Sequence, residues 1–129
     1  MLPLKKFSSL VLCAALAALA GCGGSPNCGP VGLNVGPTAA TVDHTAAPPA
    51  NAQVFSASFQ FNGQPGCVAI TAALVNSNWT VSDPSVHLSA TQGTQVTATC
   101  TAAVTTPVTI TATQVGGEMF TGHASLTCN

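Results

Sequence analysis

Cysteine offers more chemistry than any other residue type in this 129-residue chain. Its sulfur can form a disulfide, bind zinc, act as a nucleophile or carry a lipid. The chain has six: Cys13, Cys22, Cys28, Cys67, Cys100 and Cys128. Which chemistry applies depends on the compartment, and the sequence around the first two cysteines indicates that compartment.

Residues 1–21 have the composition of an export signal. Lys5 and Lys6 precede a short apolar run at residues 10–20. A helix that crosses a bilayer needs about 20 predominantly apolar residues, so this run is too short to span one. A basic start, a short apolar middle and a small-residue exit are typical of a cleaved signal peptide. The alternative, a buried N-terminal helix, leaves both lysines unexplained.

The exit of this signal is a specific motif. Leu19-Ala20-Gly21-Cys22 resembles the lipobox of bacterial lipoproteins. The resemblance implies diacylglycerol on the Cys22 sulfur, cleavage before Cys22, and N-acylation with a fatty acid such as palmitate. Two or more acyl chains anchor a protein stably. Gly23 follows the cysteine, which resembles outer-membrane sorting in a bacterium with two membranes. We expect an exported protein, held at the cell envelope by the lipid on Cys22.

Removal of the signal changes the charge of the chain. Lys5 and Lys6 are its only basic residues, so the mature chain has no Lys or Arg. Without cations a protein cannot neutralise phosphates, and we expect no binding to nucleic acid. Anionic lipid headgroups are equally poor partners.

The other titratable side chains show no catalytic or metal-binding pattern. They are Asp43, Asp83, Glu118, His44, His87 and His123. No two acids are placed together by local spacing, as a glycosidase needs, and the histidines share no ligand spacing. Neither a Gly-x-Ser-x-Gly elbow nor a glycine-rich phosphate loop occurs. We therefore expect no enzyme activity, no cofactor and no metal.

Four cysteines remain once Cys13 has left with the signal and Cys22 carries lipid: Cys28, Cys67, Cys100 and Cys128. An even number of cysteines in a small exported domain predicts a disulfide framework. The alternative, a four-cysteine zinc site, lacks any Cys-x-x-Cys pair.

The segments that must position these cysteines alternate between apolar and polar residues, as β-strands do. In residues 53–61, apolar Phe55, Ala57, Phe59 and Phe61 alternate with polar residues, and this period of two indicates a half-buried strand. We predict further strands at 31–42, 76–83, 86–91, 94–102, 107–115 and 119–128, while residues 69–75 fit a strand or a helix. About seven short strands with regular turns favour a β-sandwich.

The domain organisation follows from these assignments. Residues 22–30 are a lipidated tether, of which 23–30 reach at most about 20–30 Å. Residues 31–129 form one domain.

Two segments suggest the type of sandwich. Residues 78–86, NWTVSDPSV, and residues 107–113, PVTITAT, resemble bacterial Ig-like domains of the group 2 type. The resemblance implies an all-β, Ig-like fold over about residues 35–127, with Trp79 buried in the core beside Phe55, Phe59 and Phe61. An exposed Trp79 serving as a carbohydrate platform is the alternative.

An Ig-like topology also pairs the cysteines. Its alternating strand directions place Cys28 and Cys67 at one end of the sandwich and Cys100 and Cys128 at the other. The implied disulfides are Cys28–Cys67 and Cys100–Cys128.

These observations leave two functional hypotheses. The first is a non-catalytic, lipid-anchored domain that serves as a structural or interaction module for an envelope protein or glycan. The second is a small ligand-binding or inhibitor lipoprotein, with its ligand at one end of the sandwich near Asp43-His44 or residues 62–77.

Overall fold

The computed structural model of the protein describes residues 27–68 and 73–129, and in these ranges it contains strands, turns and loops but no helix. The expected signal peptide at 1–21, the lipid site at Cys22 and most of the tether lie outside the described residues. So do residues 69–72, within the stretch that fitted a strand or a helix. Of that stretch, Leu74 makes a single antiparallel bridge to Ser58.

Nine strands make up the described part of the chain. In order they are β1 (Pro30–Gly36), β2 (Ala39–Val42), β3 (Ala52–Phe61), β4 (Ser77–Val81), β5 (Val86–Leu88), β6 (Gln92–Gly93), β7 (Gln95–Cys100), β8 (Val108–Gln114) and β9 (Thr121–Cys128). One sheet has the order β1-β3-β7-β5 and the other the order β2-β9-β8-β4-β6. The two sheets pack face to face around one core, so the predicted β-sandwich is confirmed.

The strand predicted over residues 31–42 is divided in two. Its first half, β1, pairs with β3 in one sheet, and its second half, β2, runs parallel to β9 in the other. Pro37 lies between the halves. Because proline has no N–H to donate, it interrupts the ladder where the chain changes sheets. This division, together with the two-residue strand β6, raises the count above the predicted seven.

Inward-facing residues of both sheets form the core. Phe55 and Trp79 are buried in it, and Phe59 is half-buried against it. Phe61, expected in the core, is also half-buried but is not among the side chains packed on that core. It meets the ring of Phe59 instead, at a centroid distance of 6.1 Å. The reason is that Phe61 is the last residue of β3 and pairs with Pro30 beyond the register shift in β1, so it lies past the core residues of its strand.

Two disulfides join the elements, and they are the pairs that the strand directions imply. Cys28, before β1, bonds to Cys67, after β3. Cys100, at the end of β7, bonds to Cys128, at the end of β9, and both are buried. The second disulfide crosses from one sheet to the other. In the loop-entropy account, loops of 39 and 28 residues make these bonds worth about 3.9 and 3.6 kcal/mol.

The two sheets approach each other closely where Gly122 of β9 faces β1. A Cβ atom at this position would lie 2.5 Å from the Leu33 carbonyl oxygen and 3.1 Å from a methyl carbon of Val35. Only glycine leaves room for this approach, because the nearest obstacle is backbone.

Candidate functional site

Strand direction divides the loops between the two ends of the sandwich. Cys28, Cys67 and the residues joining β8 to β9 lie at one end, which we call the Cys28 end. Residues 43–51, 82–85 and 101–107 lie at the other, which we call the Cys100 end. Of the two ligand locations considered from the sequence, Asp43-His44 lies at the Cys100 end, whereas residues 62–68, which follow β3, lie at the Cys28 end.

Asp43 and His44 are held at the Cys100 end by bonds to distant and local backbone. The His44 N–H donates to the Asn129 carbonyl oxygen at 3.1 Å, and the imidazole Nδ1 contacts the same oxygen. The Asp43 carboxylate accepts bonds from the Thr45 hydroxyl at 2.7 Å and the Thr45 N–H at 2.9 Å. The hydroxyl bond, then the N–H bond and the nearby His44, hold the pKa of Asp43 below its ordinary value.

Asp83 occupies a second turn at the Cys100 end. Its carboxylate accepts a bond from the Ser85 N–H at 2.8 Å, and this bond, with a contribution from the Ser85 side chain, lowers the pKa of Asp83. The Ser85 carbonyl in turn accepts from the Thr101 N–H at 2.8 Å. The turn is thereby fixed to the chain that follows β7, and Asp83 serves it as a cap.

The two remaining histidines lie on strands of different sheets. His87 lies on β5, and His123 lies on β9, 3.1 Å from the Thr111 hydroxyl. Residues 27–68 and 73–129 contain no group of three His, Cys, Asp or Glu able to hold a metal ion. What the Cys100 end offers is a set of fixed hydrogen-bonding groups on three neighbouring loops.

The outer face of the five-stranded sheet is neutral and rich in hydroxyl groups. Thr111 and Thr113 of β8 face His123 and Thr121 of β9 in register. The hydroxyls of Thr113 and Thr121 lie 3.4 Å apart. Such a face can exchange hydrogen bonds with a partner without requiring an opposite charge.

The Cys28 end carries exposed apolar side chains, a feature that was not predicted from the sequence. Exposed apolar side chains lie there on separate loops and strand ends: Val31, Val68, Leu74, Val115 and Met119. We call these five the apolar end surface. No periodicity could reveal it, because its members come from different elements that only the fold brings to one end.

None of the described residues forms a helix long and apolar enough to cross a membrane.

Comparison with known proteins found no relative. No family model matches the chain, and neither a curated protein nor a solved structure matches it.

Proposed function

We propose that the chain is an exported lipoprotein whose Ig-like domain is a non-catalytic structural or interaction module of the cell envelope. Cys22 carries the lipid, and the Cys100 end of the sandwich faces away from the membrane toward a protein or glycan partner. The membrane is the outer one in a cell that has two.

The Cys28–Cys67 disulfide is the observation that carries this proposal. It fixes the start of the domain at one end of the sandwich. Cys22 lies six residues before Cys28, so a lipid on its sulfur is within about 20 Å of that end. The loops with Asp43 and Asp83 lie at the opposite end. A short tether at one end directs the other end outward.

The order of strands supports an Ig-like type of sandwich. If β1 and β2 are the two parts of strand A, then β1-β3-β7-β5 corresponds to A-B-E-D. The order β9-β8-β4 in the other sheet corresponds to G-F-C. These are the two sheets of an Ig constant-type domain. Domains of this architecture present loops at their ends, which suits a binding role.

Charge favours a partner recognised through hydrogen bonds. The mature chain expected after cleavage has no Lys or Arg. Asp43 and Asp83 are already bonded within their own turns. Hydroxyl and backbone groups are therefore the main groups that the Cys100 end can offer, and they suit a neutral protein surface or a glycan.

Affinity capture with two matched variants tests the role of the Cys100 end. Thr105 is exposed at this end, and Asn62 is exposed at the other. The mature protein should capture a stoichiometric envelope partner, Thr105→Arg should reduce that capture, and Asn62→Arg should not. Equal capture by both variants would place the partner elsewhere. A small ligand that raises the melting temperature by mass action, in the absence of a captured partner, would favour the ligand-binding hypothesis.

A further inference from the structure

Exposed apolar side chains are concentrated at one end of the sandwich. Among the residues that the structure describes, large hydrophobic side chains are exposed at Val31, Val54, Val68, Leu74, Val115 and Met119. Val68 and Met119 are 84% and 75% exposed. Val54 is 48% exposed but lies near the Cys100 end of β3, where it pairs with Thr97. All the others belong to the apolar end surface.

Aromatic rings connect the strands beneath this surface. The Phe59 ring meets Phe61 at a centroid distance of 6.1 Å and Phe120 at 6.5 Å, edge to face in both cases. Phe61 pairs with the first residue of β1, next to Val31. Met119 directly precedes Phe120. Val31, in β1 of one sheet, and Met119, in the connection between β8 and β9 of the other, therefore lie at the same end.

The other members of the surface are held there by backbone contacts. Leu74 bridges Ser58 in the second half of β3, three residues before the end of that strand. The Val115 N–H donates at 3.0 Å to the backbone carbonyl just before β4. Val68 adjoins Cys67, whose disulfide closes this end. The surface is thus attached to a covalently and hydrogen-bonded frame.

We propose that the apolar end surface rests on the lipid bilayer, so that the domain stands on the membrane. This proposal rests on the proposed lipid anchor at Cys22. The six residues from Cys22 to Cys28 extend no farther than about 20 Å. The anchor therefore keeps this end of the domain within about 20 Å of the membrane. Contact removes apolar side chains from water, which is favourable in proportion to the area covered.

The charge at this end specifies the lipid. Glu118, in the connection between β8 and β9, is exposed there, and Asp43 and Asp83 lie at the opposite end. Lys and Arg are absent from the whole described chain. The contact is thus with zwitterionic lipid, depends on apolar burial, and is not strengthened by anionic headgroups. It should persist at high salt, since no ion pairs hold it.

Photo-cross-linking of the mature lipidated protein tests this contact. The protein is reconstituted into phosphatidylcholine vesicles that contain a lipid with a diazirine near its headgroup. After irradiation it is digested with chymotrypsin, because the mature chain offers trypsin no site. We expect lipid adducts on the peptides that contain Met119 and Val68, at a yield about tenfold above that of the peptide with Val54.

Two variants provide a matched pair of exposed sites. Met119→Asp places a charge in the proposed contact, and Val54→Asp places one on the outer face of β3. Met119→Asp should reduce the adducts about tenfold, because a charge resists burial in lipid, and Val54→Asp should leave them unchanged. The adduct map of the unsubstituted protein decides the question even if a variant fails to fold.

The outcomes separate this proposal from the proposed function. Lipid on Cys22 with adducts at Met119 and Val68 supports both. Lipid on Cys22 with adducts elsewhere, or with cross-links between two copies through this end, overturns the membrane contact alone. A mature chain without lipid on Cys22 overturns the anchor and the contact with it.

Discussion

Replacement of Gly122 by alanine should destabilise the protein, although alanine usually suits a strand better than glycine does. The new Cβ would lie 2.5 Å from the Leu33 carbonyl oxygen, whereas ordinary contacts begin at 3.4 Å. The obstacle is backbone, so β1 or β9 must shift by about an ångström for the methyl group to fit. Overpacking of this kind costs about 1–3 kcal/mol, and a rigid neighbour places the loss near the upper limit.

Chemical and thermal unfolding measure this loss. Trp79 is the only tryptophan and is buried, so its fluorescence reports the unfolding of the core. A loss of about 3 kcal/mol should lower the melting temperature by about 12–24 °C in a domain of this size.

Gly63→Ala is the matched control, since a Cβ at Gly63 meets no atom within 4 Å. It should leave the stability unchanged or raise it by about 0.4–1 kcal/mol, because alanine restricts the unfolded chain. If Gly122→Ala is as stable as the unsubstituted protein, the close approach of β1 and β9 described above is wrong.

Three further predictions concern the core and the Cys100 end. Replacement of Cys100 and Cys128 together by alanine should lower the free energy of unfolding by about 3–4 kcal/mol, as measured in urea; an unchanged midpoint would contradict this. Trp79→Phe removes the indole N–H bond of 2.9 Å to the backbone carbonyl of β6 and should cost about 1–3 kcal/mol; a loss below the error of the urea titration would show that this bond contributes nothing. Asp43 and Asp83 have lowered pKa values, so the folded state favours their ionised forms, and the stability they provide at neutral pH should be lost as the pH falls below about 4. Measurement of the free energy of unfolding against pH checks this. When both aspartates are replaced by asparagine, the free energy of unfolding should fall less steeply below about pH 4. An equally steep fall in the double variant would refute the prediction.

Local patterns in the sequence were sufficient to predict the class of fold. The alternation of Phe55, Ala57 and Phe59 with polar neighbours indicated β3 correctly. The cysteine pairs followed from the strand directions of the Ig-like topology that the resemblance implies, because a strand's direction fixes the end at which its last residue lies. The first inference needs only the pattern of one strand, and the second needs only the order and direction of the strands.

Features that depend on which distant elements pair and pack side by side were not predicted. The change of sheet at Pro37 was not predicted, since both halves of residues 31–42 have the pattern of a strand. Phe61 keeps the apolar phase of β3, and its half-burial results from its place as the last residue of that strand, paired with Pro30 beyond the register shift in β1. The contact of His44 with Asn129 joins residues 85 positions apart. The apolar end surface is likewise assembled from separate loops.

The proposal of a lipid-anchored envelope module is tested most directly by the intact mass of the protein recovered from the membranes of cells that produce it. We expect a chain that begins at Cys22 and carries diacylglycerol on its sulfur and an acyl group on its amine. We also expect no free thiol before reduction, because the other cysteines of the mature chain are paired. A chain that retains Met1, or that begins at Cys22 without lipid, would contradict the proposal.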